Sequence, residues 1–83
     1  MVDLRSDTLT LPDRAMLETI LTAKLGDDGR VGETGRGEDP TVNSLEDLAA
    51  KLTGKEAALL FPTGTMGNSC GVLSWVKSGA KVL

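Results

Sequence analysis

A short apolar run at residues 57–61, Ala-Ala-Leu-Leu-Phe, stops at Pro62, continues into Thr63-Gly64-Thr65, and gives way to an apolar-periodic segment from Met66. No other stretch constrains the fold as strongly, because its signals read in order as buried strand, stop, small polar turn and helix. Such a turn gathers the unpaired N–H groups of a helix start and the positive end of its dipole, which suits a phosphate. Gly64 lacks a Cβ and lets the backbone approach a ligand, while the hydroxyls of Thr63 and Thr65 can donate to anionic oxygens. The same residues also suit a plain helix cap that binds nothing. The helix is predicted from about residue 64 to 77, with Met66, Cys70, Leu73, Trp75 and Val76 available for burial. Ser78-Gly79 then turns the chain, and Lys81, Val82 and Leu83 begin a second strand. Strand, helix, strand is a βαβ unit, which implies a parallel sheet covered on both faces. Two strands cannot complete such a sheet, so the chain reads as the front piece of a larger α/β domain.

Upstream, residues 1–11 alternate partly between apolar and polar, with Thr8 and Thr10 favouring β conformation, and are predicted to form an extended arm. Pro12 suits a first helical turn, and Met16, Leu17, Ile20, Leu21 and Leu25 mark one face of a helix reaching about Lys24, with Gly26 as its stop. Residues 26–39 hold five glycines and a single apolar residue, Val31, and form a loop longer than most inside a compact domain. Its acids do not keep EF-hand spacing, because Gly29 falls at the third ligand position. Gly32, Gly35 and Gly37 do not follow a strand, as a dinucleotide fingerprint requires. Gly54-Lys55 is not a P-loop, since Glu56 stands where Ser or Thr is needed. Asp39-Pro40 is a helix-start signal, followed by an apolar stripe of Val42, Leu45, Leu48, Ala49 and Leu52 and a stop at Gly54. The organisation is therefore arm and helix at 1–25, glycine-rich loop at 26–39, and helix, strand, helix, strand at 40–83.

Bulk properties exclude several functions. Among 83 residues there is no histidine and one cysteine, Cys70, so neither a disulfide framework nor a His-based metal site can be built from this chain, and we expect no metal. Cys70 reads as a small buried hydrophobe rather than a nucleophile. A net charge of −3 with dispersed basic residues argues against nucleic acid and against a membrane surface. The N-terminus is charged at once and has no apolar core, so no signal peptide is expected, and the expected compartment is the reducing cytoplasm. Two aromatics, Phe61 and Trp75, are thin material for an independent core.

Several motifs occur together and in order: Leu4-Arg5-Ser6-Asp7-Thr8, Gly26-Asp27-Asp28, Gly37-Glu38-Asp39-Pro40-Thr41-Val42-Asn43, Leu45-Glu46, Gly54-Lys55-Glu56-Ala57-Ala58 and Gly64-Thr65-Met66-Gly67-Asn68. In this the chain resembles the low-specificity L-threonine aldolases, pyridoxal-phosphate enzymes of fold type I in the β-eliminating-lyase group, along essentially its whole length. The resemblance implies the N-terminal part of an aminotransferase-like large domain with a mainly parallel sheet. It implies that Thr63, Gly64 and Thr65, matching a Ser-Gly-Thr turn, hold the phosphate of pyridoxal 5'-phosphate. It further implies that Ser6 helps bind a substrate carboxylate. The loop carrying Arg36 and Glu38 is implied to approach a neighbouring subunit of a homo-oligomer, dimer or tetramer. Where the family has a Tyr just before Gly-Glu-Asp-Pro this chain has Arg36, and its run between Asp28 and Gly37 is longer.

The implied reaction is cleavage of threonine-type β-hydroxy-α-amino acids to glycine and an aldehyde. The lysine that carries the cofactor covalently, the aspartate on its pyridine nitrogen and the histidine stacked on its ring would all lie downstream. Lys24, Lys51, Lys55, Lys77 and Lys81 match no such motif. No catalytic residue is therefore expected within these 83 residues, which alone would be inactive. Two alternatives remain open on the sequence: another fold type I lyase acting on a different amino acid, and a non-catalytic phosphate-binding module.

Overall fold

Asp39-Pro40 begins the longest element of the computed structural model, which describes residues 1–82. Helix α2, Pro40–Thr53, starts where proline's fixed φ is already helical and Asp39 accepts the N–H groups of Thr41 and Val42. It ends at Gly54, whose φ of 67° is left-handed and closes a C-cap onto Ala50 and Lys51. Helix α3, Gly64–Trp75, is capped by Thr63 and stops two residues before the predicted Lys77. The first helix, α1, is only Arg14–Thr19, capped by Asp13. The predicted continuation to Lys24 is replaced by short-range turn bonds such as Ile20 N–H to Leu17 O (3.3 Å) and Leu21 N–H to Glu18 O (3.1 Å). Two causes meet there. The β-branched residues Thr19, Ile20 and Thr22 are weak helix formers, and the Thr19 hydroxyl donates back to Met16 O at 2.6 Å. A six-residue helix with an unburied stripe has little to extend it.

The predicted extended arm contains a single 3₁₀ turn, Asp7–Leu9, capped by Ser6. The Ser-Asp-Thr run prefers to bond its own backbone over remaining extended. The predicted strand at residues 56–61 is not formed, and among the described residues the one bridge is the isolated antiparallel pair Val31–Gly37. The reason is pairing: a parallel strand is made by its neighbours, and the chain offers residue 60 no second strand. Of the second predicted strand, Lys81 and Val82 have no regular structure, and Leu83 lies outside the described residues. No membrane-crossing helix, long and apolar enough to span, occurs among the described residues.

Burial explains why the elements stand apart. No hydrophobic side chain among the described residues is buried, and the apolar stripes are open: Leu21 is 84% exposed, Leu52 76% and Trp75 91%. The radius of gyration is 16.1 Å, against about 12 Å for a compact chain of this length. The helices do not pack on one another. Among the described residues the one buried residue is polar, Asp39, which ties the glycine-rich loop at Gly26 to the start of α2.

Candidate phosphate-binding turn and the loop beside it

Thr63 takes an extended backbone conformation, and its hydroxyl oxygen accepts the Met66 N–H at 3.1 Å while its carbonyl accepts Gly67 N–H at 3.1 Å. That settles one of the orphan donors of the α3 start. The N–H groups of Gly64 and Thr65 and the Thr65 hydroxyl make no hydrogen bond among the described residues. All three residues are exposed, and a Cβ placed on Gly64 would meet nothing within 4 Å. Two free N–H groups, a free hydroxyl and the helix dipole thus face open space at one point. The Thr63 hydroxyl hydrogen also remains available, since the bond to Met66 uses only its oxygen. That donor set fits a phosphate. Gly67 packs next to Phe61, whose ring lies 3.6 Å from the position of a Cβ there.

Ser6 is engaged elsewhere. Its oxygen accepts Thr8 N–H at 3.2 Å and lies 2.8 Å from the Thr8 hydroxyl, and no hydrogen bond among the described residues joins this turn to Thr63–Thr65. The structure therefore places the three candidate residues Thr63, Gly64 and Thr65 at one helix start and leaves Ser6 separate, as a backbone-bonded cap.

The loop at residues 26–39 closes on itself and on α2. Gly32 N–H donates to Arg36 O at 2.8 Å and Gly35 N–H to Gly32 O at 3.0 Å, with Gly35 at a left-handed φ of 77°. Asp39 accepts Gly26 N–H at 3.1 Å as well as its own helix donors, and the Thr41 hydroxyl donates to Lys24 O. These N–H groups, Val42 first and then Gly26, hold the Asp39 carboxyl below the usual aspartate range. Gly26 has no room for a Cβ, which would fall on the Glu38 carbonyl.

Arg36, one of the two loop residues implied to face a neighbour, is held by its own chain. It donates to Glu46 Oε2 at 3.1 Å, to Asp47 Oδ1 at 2.9 Å and to Asn43 O at 3.1 Å. Glu46 raises the guanidinium pKa first and Asp47 second. Glu38 is exposed and makes no side-chain hydrogen bond among the described residues. The second oxygen of Glu46 accepts Leu60 N–H at 2.9 Å. Nothing local in the sequence announces this role of Glu46 as a link, since its partners lie 10 and 14 residues away.

An open concavity of about 530 Å³ lies between this loop, α2 and residues 56–59, and Thr63–Thr65 do not line it. Its charged walls are Asp28, Glu46, Asp47 and Glu56 against the single guanidinium of Arg36. Four carboxylates repel a phosphate, so the anion-compatible position is the exposed turn and not the larger hollow.

The family model described as "Beta-eliminating lyase" matches residues 3–83. The chain belongs to the beta-eliminating lyase family. Among curated relatives of this chain, the "Low specificity L-threonine aldolase" of Escherichia coli (strain K12) is 51% identical over 83 residues, covering 100% of this chain and 23% of that protein. The "Low-specificity L-threonine aldolase 1" of Arabidopsis thaliana is 50% identical over 72 residues, covering 87% and 18%. The "Low specificity L-threonine aldolase" of Saccharomyces cerevisiae is 40% identical over 70 residues, covering 84% and 16%. The chain thus spans less than a quarter of the length of these relatives. No solved structure gives a significant match.

Proposed function

We propose that this segment is the phosphate-anchoring part of a pyridoxal-phosphate-dependent aldolase that cleaves threonine-type β-hydroxy-α-amino acids to glycine and an aldehyde. One observation carries the reading: 51% identity along the whole segment to a protein named for that activity. The free donor set at Thr63, Gly64 and Thr65 supports it from the chemistry of the turn. In this reading Gly64 N–H, Thr65 N–H and the two threonine hydroxyls hold the phosphate. The α3 dipole offsets part of its charge. The bound cofactor takes up the electron pair released when the substrate Cα–Cβ bond breaks. The segment's own work is binding and orientation, which fixes the reacting bond relative to an anchored phosphate. The covalent lysine and the group that removes the β-hydroxyl proton are supplied from outside these 83 residues, and the segment alone is inactive.

The finer parts of the proposal follow the same line. Ser6 turns from its local cap to the substrate carboxylate. Residues 56–61 and 81–83 pair in a mainly parallel sheet, of a fold type I domain, completed by the rest of the protein. The protein is a cytoplasmic dimer or tetramer in which Glu38, with its unengaged carboxylate, comes near a neighbouring subunit beside Arg36. Arg36 also favours a second reading, a lyase for a different β-substituted amino acid. A guanidinium bound to Glu46 and Asp47 cannot offer the phenol hydroxyl that Tyr would place there.

The test is Thr65→Val in the full-length protein. Titrating the cofactor-free protein with pyridoxal phosphate, read by absorbance, should show binding weaker by a charge-assisted hydrogen bond. That is about 1.5–3 kcal/mol, or roughly ten- to a hundredfold in Kd. Unchanged affinity would remove the phosphate from this turn.

A further inference from the structure

We propose that Arg36 and Glu46 are positioning residues: Glu46 grips Leu60 N–H, Arg36 holds Glu46 in place, and together they set the height of the Thr63–Thr65 turn. The proposal rests on the phosphate reading of that turn. Its basis is connectivity. Among the described residues, the only hydrogen bond joining residues 56–82 to anything earlier than Gly54-Lys55 is Leu60 N–H to Glu46 Oε1, at 2.9 Å. Leu60 stands three residues before Thr63, with Pro62, whose φ is fixed, between them. A shift at residue 60 is thus passed to the turn with little slack.

Glu46 is suited to the task. Its side chain is 11% exposed, against 71% for the adjacent Asp47, and its bond to Arg36 is part-buried while the one to Leu60 is exposed. Its two oxygens are divided: Oε1 takes the Leu60 N–H and Oε2 takes the Arg36 guanidinium at 3.1 Å. Arg36 is in turn fixed by Asp47 and by the carbonyl of Asn43, whose amide donates to Gly37 O at 2.8 Å. The glycine-rich loop, α2 and the approach to the turn are therefore joined through one carboxylate. Among the described residues the hydrogen bonds of Arg36 lead toward the turn through Glu46 alone. In a strand at residues 56–61, alternate N–H groups face opposite sides. Glu46 would then cover one edge at Leu60 and leave Leu59 and Phe61 to pair on the other.

The experiment is a double-mutant cycle in the full-length protein: Arg36→Ala, Glu46→Ala and the pair. It is read as the Kd of cofactor-free protein for pyridoxal phosphate and as the visible circular dichroism of the bound cofactor. Each single variant should weaken binding by about tenfold and alter the dichroic band. The pair should be no weaker than Glu46→Ala alone, because Arg36 acts through Glu46. Glu46→Gln keeps one acceptor for Leu60 but sets an amide donor against Arg36, so it should bind about as weakly as Arg36→Ala and no more weakly than Glu46→Ala. If Glu46→Ala does not accumulate, Glu46→Asp replaces it, since the shorter side chain cannot span both partners. Thr65→Val is run alongside. Weakening by Thr65→Val with unchanged binding in both single variants, or additive effects in the pair, overturns the positioning role alone. Unchanged binding in Thr65→Val overturns the phosphate reading itself.

Discussion

Thr63 has two separable duties, and one substitution divides them. Its oxygen caps Met66 N–H at 3.1 Å, and in the proposed function its hydroxyl hydrogen donates to the cofactor phosphate. Aspartate caps a helix at least as well as threonine and adds a favourable interaction with the α3 dipole. Thr63→Asp should therefore leave the melting temperature of the cofactor-free full-length protein unchanged or slightly raised. Toward phosphate the same change is unfavourable twice over. It replaces a donor by an acceptor, and it sets a negative charge at about 4 Å from another. At an effective dielectric near a protein surface the repulsion is about 4 kcal/mol per unit charge, roughly a thousandfold in Kd. Added salt should recover part of the loss, because the turn is exposed. Thr63→Ser keeps both duties and serves as the control. The assay pairs a thermal melt of cofactor-free protein with a pyridoxal phosphate titration at two salt concentrations. Parent-like cofactor affinity in Thr63→Asp would refute the reasoning, because no dianion tolerates that carboxylate at its anchor.

Two further outcomes follow from the loop and its helix. The Glu46 carboxyl is held below its ordinary value of 4.5, first by Leu60 N–H and then by Arg36, and Asp39 below 3.8, first by Val42 N–H and then by Gly26 N–H. A depressed folded-state pKa stabilises the fold above the ordinary value and stops doing so as pH falls through the folded one. The melting temperature of the full-length protein should thus drop on acidification below 4.5, and less steeply in Glu46→Gln; equal slopes would remove Glu46 from the cause. Separately, Gly54→Ala forces a Cβ into a left-handed φ of 67° and should cost about 1 kcal/mol in a denaturant titration, with no change in cofactor Kd.

Local chemistry was legible in the amino-acid order, and it was right where a few adjacent residues suffice. Asp39-Pro40 begins α2 and Gly54 ends it, because a capping carboxylate, a fixed φ and a left-handed glycine each act within one turn. Thr63-Gly64-Thr65 begins α3 for the same reason. The ordered motifs pointed to a lyase family that the match over residues 3–83 bears out. The structure departs from the sequence pattern in elements whose form depends on a partner. Residues 56–61 have the composition of a buried strand but no ladder, and α1 stops at Thr19 with Ile20, Leu21 and Leu25 left in water. A strand and an apolar stripe are stabilised by what covers them. Tertiary structure alone decided that Arg36 lies across α2 on Glu46 and Asp47, and that Glu46 also holds Leu60. Those contacts join residues 10 to 14 positions apart through a turn at Gly35 and a helix at Pro40–Thr53. No local spacing rule encodes them, because opposite charges meet only after the chain has folded back.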